Sequence, residues 1–259
     1  MPPHPYLIYY PTPGYSNELT FHNSLGYRGG EFDLKKKAGS YRIVTLGGST
    51  TYTSGVSDNN KIFTTYLEAI LGDAYGYNNV EVINAGVGGY NTWTSLVNLE
   101  FRVLELDPDL IIICHGINDV GIRISRPELY RSDNTGIFKQ WEIPEQLFYE
   151  RSVFLRSLVR KVGYLSDSRK LQRVFGLRNL TKFTAPVRYG EPKLTPAEKL
   201  KCNKPIYFER NLRNMIAIAK DHGIDIMLGT LLILETLMIV LQSLFLRKAL
   251  MNMLRSLKY

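Results

Sequence analysis

The chain has 259 residues, enough for one domain with a sizeable buried core, and its 44% hydrophobic and 22% charged residues exclude wholesale disorder. Its two cysteines, Cys114 and Cys202, lie far apart and outside any CxxC or Cys/His cluster, which excludes a disulfide framework and a zinc signature. The net charge of +8 is local: residues 151–182 carry nine basic side chains against the single acid Asp167, and the remainder is neutral overall. A face of that kind attracts phosphates, acidic polysaccharide or anionic membrane, and its plainer reading is a solvated helical surface.

Residues 1–40, rich in Pro, Gly, Tyr and Asn, read as an extended lead-in. Their opening, MPPHPYLIYYPTPGYS, lacks the basic start and apolar core of a signal peptide, leaving either a cytoplasmic protein or one whose targeting segment precedes this sequence. YRIVTLG, from Tyr41, is a short β-branched run ending in glycines and predicts a buried strand entering a tight turn. Residues 61–71 place Ile62, Phe63, Tyr66, Leu67 and Ile70 at helical spacing, with Gly72 as the stop. VEVINAG (80–86) predicts a second strand, 94–106 a helix ended by Asp107-Pro108, and DLIIICHG (109–116) a third strand with Cys114 as a core thiol. Residues 123–205 interrupt the alternation and read as a basic insertion over the sheet edge. A helix over 206–221, with Phe208, Leu212, Met215, Ile216 and Ala219 on one face, then leads through Gly223 to a strand at 224–230. Strand and helix in alternation predict an α/β fold, doubly wound, with ligands bound beyond the carboxyl ends of a mostly parallel sheet.

The three strand ends carry GGSTT, GVGGYN and GINDV. Ser49 follows a strand and two glycines, a context that presents a hydroxyl at a sharp turn. A serine that attacks an ester creates an oxyanion, which needs donors already in place. Gly89 can offer a backbone N–H and Asn118 a side-chain amide, so Ser49, Gly89 and Asn118 are the candidate catalytic residues. A P-loop reading of GGSTT fails, because no lysine precedes the Ser/Thr.

These blocks resemble the SGNH hydrolase superfamily, also called GDSL-like lipases or acylhydrolases. RIVTLGGSTT is similar to its first block with Ser49 at the nucleophile position, although the family's GDS is GGS here. VINAGVGGYNT is similar to the second, with Gly89 as the oxyanion glycine. DPDLIIICHGINDV is similar to the third, with Asn118 as the oxyanion asparagine. NSLGYRGGEF (23–32) resembles the lead-in of envelope or secreted members acting on acyl groups of glycans. The likeness spans residues 20–230 and implies a three-layer α/β/α sandwich, flavodoxin-like, that hydrolyses or transfers acyl esters without metal or cofactor. It implies an extracytoplasmic or envelope location and a structural role for Asp119, which would hold its loop.

The departure from the family is the missing Asp-x-x-His, whose histidine takes the serine proton. None of His4, His22, His115 and His222 has an aspartate three residues before it. His222 falls between helix and strand, at the amino end of the sheet; His115 is beside the site; His22 lies in the lead-in. After Thr230 the polar loop expected there is replaced by a leucine-rich tail, residues 231–259, so the fold reads as incomplete at the C-terminus. Three readings of the tail stand: a membrane helix over 226–248, long enough to span but interrupted by Glu235; an amphipathic helix on the sheet; or translation out of frame, since a one-nucleotide shift over 232–243 can yield a polar, turn-rich string. The function expected is a serine ester hydrolase acting on a small-molecule or glycan acyl ester, O-acetylated carbohydrate or lipid, impaired in this chain. The alternatives are an inactive acyl-glycan binding protein and a membrane-anchored protein. Nucleic acid is not an expected partner, because no helix-turn-helix, zinc finger or aromatic interleaving accompanies the basic run.

Overall fold

Four apolar runs become the strands of one parallel sheet, and the glycine- and asparagine-bearing residues that follow three of them gather at its carboxyl edge. The computed structural model describes residues 3–4, 6–17, 20–56, 58–134, 136, 154–155, 158, 194–229, 232–234 and 237–239. The chain divides into two units, Met1–Asp119 with Ile206–Tyr259, and Val120–Pro205.

In the first unit a small hairpin, β1 (Pro3–His4) with β2 (Ile8–Tyr9), precedes β3 (Tyr41–Gly47) and the single-turn helix α1 (Ser49–Tyr52). There follow α2 (Phe63–Tyr75), β4 (Val80–Asn84), α3 (Thr92–Asn98), β5 (Leu110–Cys114) and α4 (Ile117–Arg123), which runs on into the second unit. The sheet order is β4-β3-β5-β6, where β6 is Asp225–Gly229, and all neighbours are parallel. Gly47 pairs with Cys114, and Cys114 with Gly229, so these strands end at one level. The chain leaves β3 outward to β4 and returns across β3 to β5. The carboxyl ends of β3 and β5 therefore flank the topological switch point, where open α/β sheets bind ligands.

Alternate residues of β3 and β5 point to opposite faces. Ile43 and Leu110 pack with Leu67 and Leu71 of α2. Val44, Leu46, Ile111 and Ile113 pack with Leu99 and Val103 after α3 and with Met215 and Ala219 of a helix here called α6 (Ile206–Asp221). Helices thus cover both faces, and the expected three-layer α/β/α architecture is the one observed.

Several boundaries differ from the sequence reading. Helix α2 runs through Gly72 to Tyr75 and ends at Gly76, whose φ of +75° closes it. One glycine in a helix costs about 1 kcal/mol, and the last turn is closed instead beyond it, where Gly76 N–H donates to the Gly72 carbonyl (2.9 Å) and Tyr77 N–H to the Leu71 carbonyl (2.9 Å). Helix α3 begins earlier than expected, capped reciprocally by Asn91 and Thr94, and continues as a π turn (Leu99–Val103) and a 3-10 turn (Leu104–Leu106). That widened turn keeps Leu99, Val103 and Leu106 together on the sheet face. The helical readings of 226–248 do not match the described residues: Asp225–Gly229 is strand, and Leu232–Leu234 pairs antiparallel with Leu237–Ile239 as β7 and β8. A run that is apolar on every side has no period to select helix over strand. Among the described residues no helix is long and apolar enough to cross a membrane.

In the second unit Pro196–Cys202 forms α5, opened by a reciprocal cap between Thr195 and Glu198 with Pro196 in the first turn. Arg123 donates to the carbonyls of Asn203 (2.7 Å) and Leu200 (3.0 Å), and Asn203 Nδ2 donates back to the Arg123 carbonyl (2.8 Å). The basic run 151–182 lies outside the described residues except at 154, 155 and 158.

Candidate active site

Ser49 is the first residue of α1, immediately beyond β3, and is half-buried. Gly48 before it has no room for a side chain: a Cβ there would sit 2.6 Å from Asn118 Nδ2 and 3.1 Å from the Tyr90 carbonyl oxygen. The residue before the serine therefore lies against both other blocks. Asn118, in the first turn of α4 beyond β5, donates through Nδ2 to the Tyr90 carbonyl (2.7 Å). That bond uses one of two N–H groups on the amide.

Gly89 lies in a tight turn that begins beyond β4. Tyr90 N–H donates to the Val87 carbonyl (3.1 Å), and Gly89 has φ +84° while Gly88 does not have positive φ, which makes Val87–Tyr90 a type II turn with glycine where one is required. The structure thus brings Ser49, Gly89 and Asn118 to neighbouring positions at the switch point through the contacts of Gly48, Tyr90 and Asn118.

Behind them sits a buried polar support. Asp119 accepts from Thr92 N–H (3.1 Å) and Thr92 Oγ1 (2.5 Å) at the start of α3, and Asn211 of α6 donates to Thr92 Oγ1 (3.1 Å). Burial pushes the Asp119 carboxyl up, and the Thr92 hydrogen bonds oppose that shift. Asp119 thereby ties the first turn of α4 to α3.

The lead-in, read from sequence only as extended, clamps the far end of α1. Arg28 donates to the carbonyls of Tyr52 (2.8 Å), Thr53 (2.7 Å) and Val56 and to Asn59 Oδ1 (3.1 Å), with its guanidinium 4.8 Å from the centre of the Tyr52 ring. A cation at the last carbonyls of a helix is favourable. Asn84, at the end of β4, donates to the Thr51 carbonyl (2.9 Å). Sequence reasoning missed these supports; the one signal was the NSLGYRGG lead-in, which holds Arg28.

The histidines are engaged elsewhere. His22 is buried, with Nδ1 3.1 Å from the Thr12 carbonyl and Nε2 2.6 Å from the Tyr52 hydroxyl; this arrangement makes Nδ1 the donor and Nε2 the acceptor. Burial pushes its imidazole down. His115 Nε2 lies 2.7 Å from Ser95 Oγ, and desolvation pushes its imidazole down to about 4. His222 lies between α6 and β6, at the amino end of a strand parallel to β5, so it is at the edge opposite Ser49. His4 Nδ1 accepts from Leu7 N–H (3.2 Å) in the hairpin. Among the described residues Ser49 Oγ has no hydrogen-bond partner, and no cluster of three His, Cys, Asp or Glu could hold a metal ion.

A model of the GDSL-like Lipase/Acylhydrolase family matches residues 45–250. Among solved structures, a catalytic mutant of Axe2, an acetylxylan esterase from Geobacillus stearothermophilus, is 16% identical over 85% of this chain and 96% of that one, with a TM-score of 0.33. AlinE4, an SGNH-hydrolase family esterase, is 20% identical over 71% of this chain and 94% of that one, with a TM-score of 0.29. The acetyl xylan esterase AlAXEase is 15% identical over 72% and 76%, with a TM-score of 0.31. No curated protein matches the chain.

Proposed function

Because the chain belongs to the GDSL-like lipase/acylhydrolase family and is a hydrolase acting on ester bonds, we propose that Ser49 attacks the acyl carbonyl while the Gly89 N–H and the Asn118 amide hold the oxyanion. The observation that carries this reading is the crowding of Gly48, whose missing Cβ would meet the Asn118 amide and the Tyr90 carbonyl at once. In the proposed reaction Ser49 Oγ bonds to the acyl carbon and the alcohol departs with a proton. Water then attacks the acyl-serine, releasing the acid and restoring the hydroxyl.

Among the described residues no histidine reaches Ser49, so the proton must leave to solvent or to a weaker base. We place turnover roughly 10⁴- to 10⁶-fold below that of a complete triad on that ground. Acyl esters on carbohydrate or lipid are the proposed substrates.

The second reading, an acyl-glycan binding protein without turnover, is favoured by the bare Ser49 hydroxyl. The discriminating experiment is p-nitrophenyl acetate hydrolysis by the chain and by Ser49→Ala at matched concentration. The hydrolase reading expects a slow rate that vanishes in the variant. Equal rates from two well-folded proteins leave the binding reading.

A further inference from the structure

We propose that Tyr9, in the lead-in hairpin, is a positioning residue that aims the Gly89 N–H at the reacting carbonyl; this rests on the reading of Gly89 as an oxyanion donor. Tyr9 is buried, and its hydroxyl donates to the Gly88 carbonyl at 2.6 Å. Burial pushes the phenol well above its ordinary value, so it stays protonated and remains a donor. The Gly88 carbonyl and the Gly89 N–H belong to one trans peptide, in which C=O and N–H point in opposite directions. Holding the carbonyl toward Tyr9 therefore sets the N–H in the opposite direction.

The turn needs such a restraint. Types I and II differ chiefly by a flip of the central peptide, and Gly88-Gly89 is the dipeptide least able to resist it, since glycine accepts either sign of φ. In the flipped turn the buried Tyr9 hydroxyl would lose the Gly88 carbonyl as acceptor, so the hydrogen bond selects type II. The hairpin is itself held in register with the turn. Tyr90 donates its hydroxyl to the Tyr9 carbonyl, and the two rings lie 5.7 Å apart. Ile8, β-branched, has φ +72°, a conformation that persists only where the surroundings enforce it. Position 9 is far from the three blocks in sequence and joins them only in the fold.

The test is Tyr9→Phe in the full chain, with Gly89→Ala and the double variant. Tyr9→Phe should lower Ser49-dependent kcat on p-nitrophenyl acetate about tenfold or more, within the range for an impaired oxyanion donor, and leave KM unchanged. Gly89→Ala disfavours φ +84° and drives the same flip by another route, so the two losses should not add. The residual dipolar coupling of the Gly89 N–H, measured by NMR, should change in Tyr9→Phe, and this readout needs no turnover. A changed coupling in a protein without Ser49-dependent activity keeps the positioning role and removes the hydrolase reading. An unchanged coupling with unchanged kcat, or fully additive losses, overturns the positioning role.

Discussion

At the scale of single residues, the site depends on what is absent as much as on what is present. Gly48→Ala would drive a methyl group into the Asn118 amide, 2.6 Å away, and that amide is the movable end of a side chain. The expected result is a displaced donor in an intact fold: Ser49-dependent hydrolysis falls about 10²-fold, while the melting temperature moves by only a few degrees. A large loss of stability with the per-molecule rate preserved would contradict that account. Ser49, Gly89 and Asn118 were legible in the sequence as candidates because each follows an apolar run in a block with a recognisable pattern. The reason for the second glycine was not, because its neighbours Tyr90 and Asn118 come from other strand ends.

At the scale of elements, the joints between strand ends and helices carry the polar load. Thr92 is the hub where Asp119, from the first turn of α4, and Asn211, from α6, meet the first turn of α3. Thr92→Val keeps the shape and the backbone N–H but removes the hydroxyl that serves both partners. The expected cost is about 1–3 kcal/mol, the penalty for leaving buried polar groups unpaired, read from the urea midpoint. A change below about 0.5 kcal/mol would mean that the hub is solvated. The helix over 206–221 was legible from its apolar spacing, but Asn211 was not, since a lone asparagine on an apolar face carries no mark of the partner it will meet. The lead-in shows the same limit: Pro, Gly and Tyr composition announces an extended path, not that Arg28 and Tyr9 end up buried against α1 and the Gly88 carbonyl.

At the scale of the whole molecule, histidines withdrawn from water, His22 buried and His115 partly so, couple stability to pH. The fold holds His115 neutral, with its imidazole pushed from 6.5 down to about 4, and burial shifts His22 the same way. The unfolded chain takes up the proton near 6.5, so this contribution is complete above that pH and is lost as the pH falls toward about 4. Thermal melts at about pH 7.5 and about pH 4.5 should show a smaller acid loss in His115→Gln than in the parent; equal losses would place the proton uptake elsewhere. The sequence by itself determined the parallel α/β sheet, the order of its main elements and the three strand-end blocks, because runs of β-branched and aliphatic residues between glycines leave few alternatives. Only the tertiary structure decided which groups surround them. The sheet order brings the ends of β3 and β5 together, the hairpin delivers Tyr9 to the Gly88–Gly89 peptide, and His22 and His115 are bonded to Tyr52 and Ser95. Those pairings join residues distant along the chain, and they depend on distances that no local pattern encodes.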